Sequence, residues 1–178
     1  MSLRVADKSD IPTIQALIDE FTAPHLEDDQ EAPTALEVLE SGYTVMIDRY
    51  GFPVGAFYLH DITDRLHATI SLLLRPKHMR QAFRDNIFGE FLDKAFAAMG
   101  FRKLKARALR TQTGAVKLLK RYRFFRTCEL WNETWIGGKA TDVFWFELQR
   151  KYWTSHRQEI LTNGKHRTQH NDPASRAG

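Results

Sequence analysis

Between residues 75 and 86 the chain gathers side chains suited to an anion: Arg75, Lys77, His78, Arg80, Gln81, Arg84 and Asn86. The run AlaThrIleSerLeuLeuLeu at 68–74 precedes them, with the length and β-branched content of a buried strand. Ile87, Phe88, Phe91, Leu92, Ala95, Phe96 and Met99 follow at helical spacing, and Gly100 stops the pattern. The polar stretch between strand and helix reads as a loop. A loop that enters a helix N-terminus meets free amides and the positive end of a dipole, so it attracts anions. Most such loops bind nothing, so position alone assigns no ligand.

The elements around this loop predict a βαβ unit. FRKLKARAL at 101–109 reads as a strand directly after the helix, so the two strands should be parallel neighbours that diverge at their C-terminal ends. Charge is segregated along the chain. Residues 10–48 hold ten acids, among them Glu27, Asp28, Asp29 and Glu31, and no Lys or Arg. Residues 102–126 hold ten bases and no acid. The two blocks either attract each other within the fold or form separate cation and anion sites. The basic run fits CoA phosphates, nucleic-acid phosphates or a solvated face; nucleic acid is the least favoured of the three.

The chain has 178 residues, a net charge of +4 and a single cysteine, Cys128. That is enough for one domain, excludes an internal disulfide and fits a cytoplasmic protein. No run is apolar enough for a membrane span and no metal-ligand cluster stands out. In order, the pattern predicts a short strand at 3–5, a helix at 11–21, an acidic loop, and a short helix at 33–41. A hairpin turning at Tyr50–Pro53 follows, then the βαβ unit, a helix from Ala115 to Phe124, and a second hairpin closed by Gly137-Gly138. Trp131, Trp135, Phe144 and Trp145 suit strands packed on a sheet face. From Thr154 the apolar pattern stops, so the reading is a domain at 1–153 and a mobile basic tail at 154–178.

Strand, two helices, three meander strands, crossover helix, strand, helix and hairpin is an order that resembles the GNAT N-acetyltransferase superfamily over roughly residues 2–152. QTGAVKLLKRYRF resembles the family pattern Asn-x-x-Ala-x-x-Leu-Tyr-x-x-x-Gly-Phe, with Ala115, Leu118 and Phe124 on its apolar positions. LLLRP resembles the strand end that pairs with the pantetheine arm. The resemblance implies an α+β fold with a mixed sheet and two splayed parallel strands. It also implies acetyl-CoA as co-substrate and an amine acceptor: a protein lysine or N-terminus, or a small cationic amine. Degenerate motifs, small size and a basic tail are also what a phage-type member would carry.

The resemblance further implies roles for particular residues. Leu73, Leu74 and Arg75 would line the pantetheine arm. Arg80, Gln81, Ala82, Phe83, Arg84 and Asp85 stand at the pyrophosphate turn, and Gln112 stands where the family has Asn. A backbone N–H near Leu73 and Leu74, freed by a β-bulge, would polarise the thioester carbonyl. An ammonium is no nucleophile, so a base is needed. His67, Tyr122 and Glu133 are the candidates, His67 because it alternates with Thr69 and Ser71 on one strand face. The sequence departs from the family in having no glycine between Arg75 and Asp85, Leu119 at a frequent tyrosine position and Arg123 at a glycine position. These departures support a second reading, a GNAT-like protein weakened in catalysis that binds a partner protein.

Overall fold

The computed structural model describes residues 1–21, 31–64 and 66–169. The strands are β1 Ser2–Val5, β2 Thr44–Arg49, β3 Phe52–Thr63, β4 His67–Leu74, β5 Lys103–Leu109, β6 Phe125–Ile136 and β7 Lys139–Gln149. They form one sheet in the order β1-β2-β3-β4-β5-β7-β6. β4 and β5 are its parallel pair; the other neighbours are antiparallel. The helices are α1 Ile11–Phe21, α2 Ala35–Glu40, α3 Pro76–Arg84, α4 Ile87–Asp93, α5 Thr113–Arg121 and α6 Arg150–Gln169. A π-helical turn, Lys94–Ala98, extends α4 toward β5.

Two-residue alternation along each strand divides the core into two layers. Phe57, Leu59, Ala68, Ile70, Leu104, Ala106, Phe144 and Phe146 face α3, α4, α5 and α6. Met46, Ala56 and Leu73 face the other way, against Ile14, Leu17 and Ile18 of α1 and Ala35 and Val38 of α2. Because α1 and α2 reach only as far as β4, no described helix covers the β5-β7-β6 part of that second face. A capping box at Thr34 and Glu37 fixes the start of α2.

Three expectations are corrected. The polar loop at 75–86 is a helix, α3. PKHMRQAFR has no glycine and no β-branched residue, and Pro76 stands in the first turn, where its missing N–H costs nothing. Asn86 in the left-handed region (φ 54°) separates α3 from α4. Second, the tail expected from Thr154 is helical to Gln169. Trp153 and Ile160 are buried (2% and 6% exposed), and Arg157 forms a double bond pair with Asp93, all at i, i+4, i+7 spacing on one face. Residues 170–178 lie outside the described residues. Third, Trp131 and Trp135 are exposed rather than packed on the sheet.

Candidate active site at the fork of the sheet

β4 and β5 pair only at their first three positions: His67 with Lys103, Ala68 with Leu104 and Thr69 with Lys105. Beyond Thr69 the strands part, while β5 stays paired with β7 as far as Leu109. Which β4 groups face the gap follows from alternation. Lys103 donates its N–H to the Leu66 carbonyl at 3.0 Å, so the even-numbered residues of β4 address β5. From the other side, Leu59 donates to Tyr43 at 3.3 Å, so the even-numbered residues of β3 address β4 and meet Thr69, Ser71 and Leu73 in register. The backbone groups of Leu72 and Leu74 therefore point into the fork with no strand partner among the described residues. Divergence frees them, not a bulge in β4. The β3–β4 register is continuous from Gly55–Leu74 to His60–Thr69, and its one irregularity falls between His60 and Thr63.

The fork joins two unlike spaces. On the α3–α5 face, Leu72 and Leu74 meet Met79, Phe83 and Leu118 across an apolar seam whose free volume is only about 10 Å³. On the face left open by α1 and α2 lies a cavity of about 290 Å³ lined by Asp61, His67, Thr69, Lys105, Trp145 and Glu147, with Cys128 at its side. Glu147 is paired with Lys103 at 3.0 Å. The Lys105 ammonium has no carboxylate partner among the described residues. Thr69 is buried.

Beside this cavity three polar groups make a chain. The His60 ring places Nδ1 2.9 Å from the Asp61 carboxylate and Nε2 3.1 Å from the Ser71 hydroxyl. The Tyr58 ring lies against the imidazole, centroids 5.5 Å apart. Asp61 occupies the left-handed region (φ 49°) at the β3 irregularity, which turns its carboxylate back toward its own neighbour. His60 did not stand out in the sequence because Ser71 reaches it through strand register, which no local pattern reveals.

No family model and no curated protein matches this chain. Solved structures do match. The spermidine/spermine N-acetyltransferase SpeG from Vibrio cholerae, in complex with manganese ions, superposes with a TM-score of 0.69 at 18% identity, covering 87% of this chain and 95% of that one. A chimera of Vibrio cholerae SpeG and hSSAT gives 0.71 at 19% identity, over 86% and 99%. The proposed acetyltransferase yncA from Salmonella typhimurium, with its cofactor acetyl-CoA, gives 0.70 at 19%, over 84% and 94%. The chain has the GNAT N-acetyltransferase fold. At these identities the likeness is one of fold.

Within the GNAT fold the sequence-derived site residues divide sharply. Of Leu73 and Leu74, alternation turns the backbone of Leu73 to β3 and that of Leu74 to the fork. Arg75 caps no amide; its Nε donates to Glu20 of α1 at 2.9 Å. Arg80 and Arg84 are exposed on α3, and Arg84 donates to Gln81. Gln81 in turn donates to Asp85 at 2.6 Å, and Asp85 also receives the Met1 amino group at 2.6 Å. Ala82 is buried, and Phe83 lies under the Arg121 guanidinium at 5.1 Å. The amides of residues 80–84 lie inside a helix, so the stretch forms no amide nest like the glycine turn of the family. Gln112 closes the β5–α5 turn by accepting the Leu109 N–H at 3.1 Å.

The three candidate bases do not converge. His67 lines the cavity and bonds Thr63 at 3.3 Å. Tyr122 is 2% exposed against Phe88 and Trp153 and donates to Asn86 at 3.0 Å. Burial pushes its hydroxyl above the ordinary tyrosine range. Glu133 is exposed on β6 next to Thr134, which pairs with Thr141 near the far end of β5. At the strand rise this is about 20 Å from the level of His67. Much of the basic run is spent within the fold: Lys103, Arg110, Arg123 and Arg126 pair with Glu147, Asp142, Glu159 and Glu129. No described helix is long and apolar enough to cross a membrane. Glu27, Asp28 and Asp29 lie outside the described residues.

Proposed function

We propose that the protein transfers an acetyl group from acetyl-CoA to an amine. The fork carries this reading: a gap in the sheet, edged by the unpartnered backbone of Leu72 and Leu74, with a cavity behind it holding histidine and carboxylate. Acetyl-CoA supplies an activated acyl carbon as a thioester. Leu72 and Leu74 fit its extended pantetheine arm as an added strand edge would. The Leu72 or Leu74 N–H is positioned to polarise a carbonyl in the gap. Arg80 and Arg84 offer charge for the phosphates through side chains, in place of backbone amides. The acceptor amine enters from the cavity. His67 is a proton acceptor there, and the neighbouring Lys105 ammonium disfavours a second charge, keeping the amine in its nucleophilic form. A polyamine enzyme among the structural neighbours and the acid-rich span 10–48 support a small cationic amine or a lysine-rich protein segment as acceptor.

Calorimetry and thermal shift with acetyl-CoA test the reading, since a ligand bound only by the folded state raises apparent stability. Replacing Arg80 and Arg84 together by Ala should weaken binding by about 1–3 kcal/mol. The filled seam beneath α3 favours a second reading, partner-protein binding without transfer. Wild-type protein that leaves acetyl-CoA unbound would select it.

A further inference from the structure

Resting on the acetyl-transfer reading, we propose that the acceptor is an amino acid with a second amine, and that Lys105 selects it by holding its carboxylate.

The cavity on the open face carries two charges that do not meet. Lys105 stands on β5 beside Thr69, at the last paired step before the fork, and is half-buried. Its nearest acid on the neighbouring strand, Glu147, is already held by Lys103 at 3.0 Å. Asp61 stands on the other side of β4, at the end of β3, with its carboxylate exposed beside the His60 ring. A fully solvated lysine needs no partner. A half-buried one has given up part of its hydration, and a bound anion makes up that loss.

One anion and one cation of the protein, kept apart, fit a ligand that carries both charges. The head of an amino acid does so, with its carboxylate on Lys105 and its α-ammonium toward Asp61. The Trp145 indole gives the cavity an apolar wall for the methylenes that follow. Leu72, whose N–H edges the fork, lies three residues beyond Thr69, about 10 Å along the strand. A side chain ending in an amine spans that distance, and an α-amine held at the head does not. The second amine keeps the acceptor cationic overall, as the acid-rich span favours. A polyamine without a carboxylate meets Lys105 as a like charge and is disfavoured. In this the chain departs from the spermidine/spermine N-acetyltransferase whose fold it resembles. An ammonium that attracts the carboxylate also opposes the charged form of the reacting amine, so the two effects of Lys105 act together.

The test compares acetyl transfer by the full chain to L-lysine and to cadaverine, which differ only by the carboxylate, and follows the binding of each by calorimetry. The kcat/KM for lysine should be about tenfold higher or more, the scale of a charge-assisted hydrogen bond, with the difference in KM. Lys105→Met should erase the preference, Lys105→Arg should keep it, and Lys105→Glu should turn it toward cadaverine. Circular dichroism checks that the variants fold, and the wild-type comparison needs no variant at all. Lysine bound more tightly than cadaverine by a chain that leaves acetyl-CoA unbound keeps the carboxylate site and removes the transfer reading. Transfer to cadaverine as efficient as to lysine, a preference that survives Lys105→Met, or a wild-type chain that binds neither diamine overturns the assignment of Lys105.

Discussion

Tyr122 places a hydroxyl in the core and spends it on Asn86, the left-handed residue between α3 and α4. Removing the oxygen should cost about 1 kcal/mol, a typical net hydrogen bond, and leave the pH profile of catalysis unmoved. Chemical denaturation and a pH–rate profile of Tyr122→Phe check both halves; a shifted profile would restore Tyr122 as a candidate base. Asp10 is a second buried group. Its hydrogen bond from Arg4 holds its carboxyl below the ordinary value near 3.8. The unfolded chain therefore takes up this proton first as pH falls. The stabilisation is present above about pH 5 and lost progressively below the ordinary aspartate range. Asp10→Asn should lower stability by about 1–3 kcal/mol at pH 7, discounted from a fully buried pair because Arg4 is 38% exposed. The difference from wild type should shrink toward pH 3 in urea titrations.

At the scale of elements, the approach of β3 to β4 is set by Gly55. A Cβ there would meet the Leu73 carbonyl oxygen at 2.5 Å and the Leu74 side chain at 2.8 Å. Gly55→Ala should push the strands apart and destabilise by about 1–3 kcal/mol, as overpacking does. Because Leu74 edges the fork, it should also weaken acetyl-CoA binding. Loss of stability with unchanged affinity would place the cofactor elsewhere. The order of elements was legible in the sequence because each strand and helix carries its own period, and the parallel β4–β5 pair followed from the crossover. What was not legible depends on contacts between elements. The helix at 76–84 had local signals, no glycine or β-branched residue and Pro76 in the first turn, that its polar composition masked; nothing local says that His60 and Ser71, eleven residues apart, will face each other. Trp153, Arg157 and Ile160 did share a face, but with only two apolar residues the stripe was too sparse to read without Asp93 opposite.

For the whole molecule, α6 closes the α-helical layer. Trp153 is 2% exposed and donates its indole N–H to Asp93 at 2.9 Å, and the same carboxylate holds Arg157. Trp153→Ala should cost about 3–5 kcal/mol, the range for a large aromatic removed from a core, and lower the melting temperature accordingly. A chain that melts like wild type would mean that α6 is not part of the cooperative unit. The acidic span is held by bases from outside the basic run, with Arg4 on Asp10 and Asp48, and Arg75 on Glu20. Exposed pairs such as Arg75–Glu20 screen readily, so high salt should change encounter with a charged acceptor more than it changes stability.

The parting of β4 from β5 gives the sheet a third border, in its middle. A row of unsatisfied amides and carbonyls is a template for any extended chain, and outer borders are commonly guarded by charge, twist or a covering helix. Here the guard on one side is α3, whose Met79 and Phe83 lie over Leu72 and Leu74. Loosening that cover, as in Phe83→Gly, should therefore show first as self-association through foreign strand addition. Light scattering and thioflavin fluorescence should rise at temperatures where circular dichroism still reports the native fold.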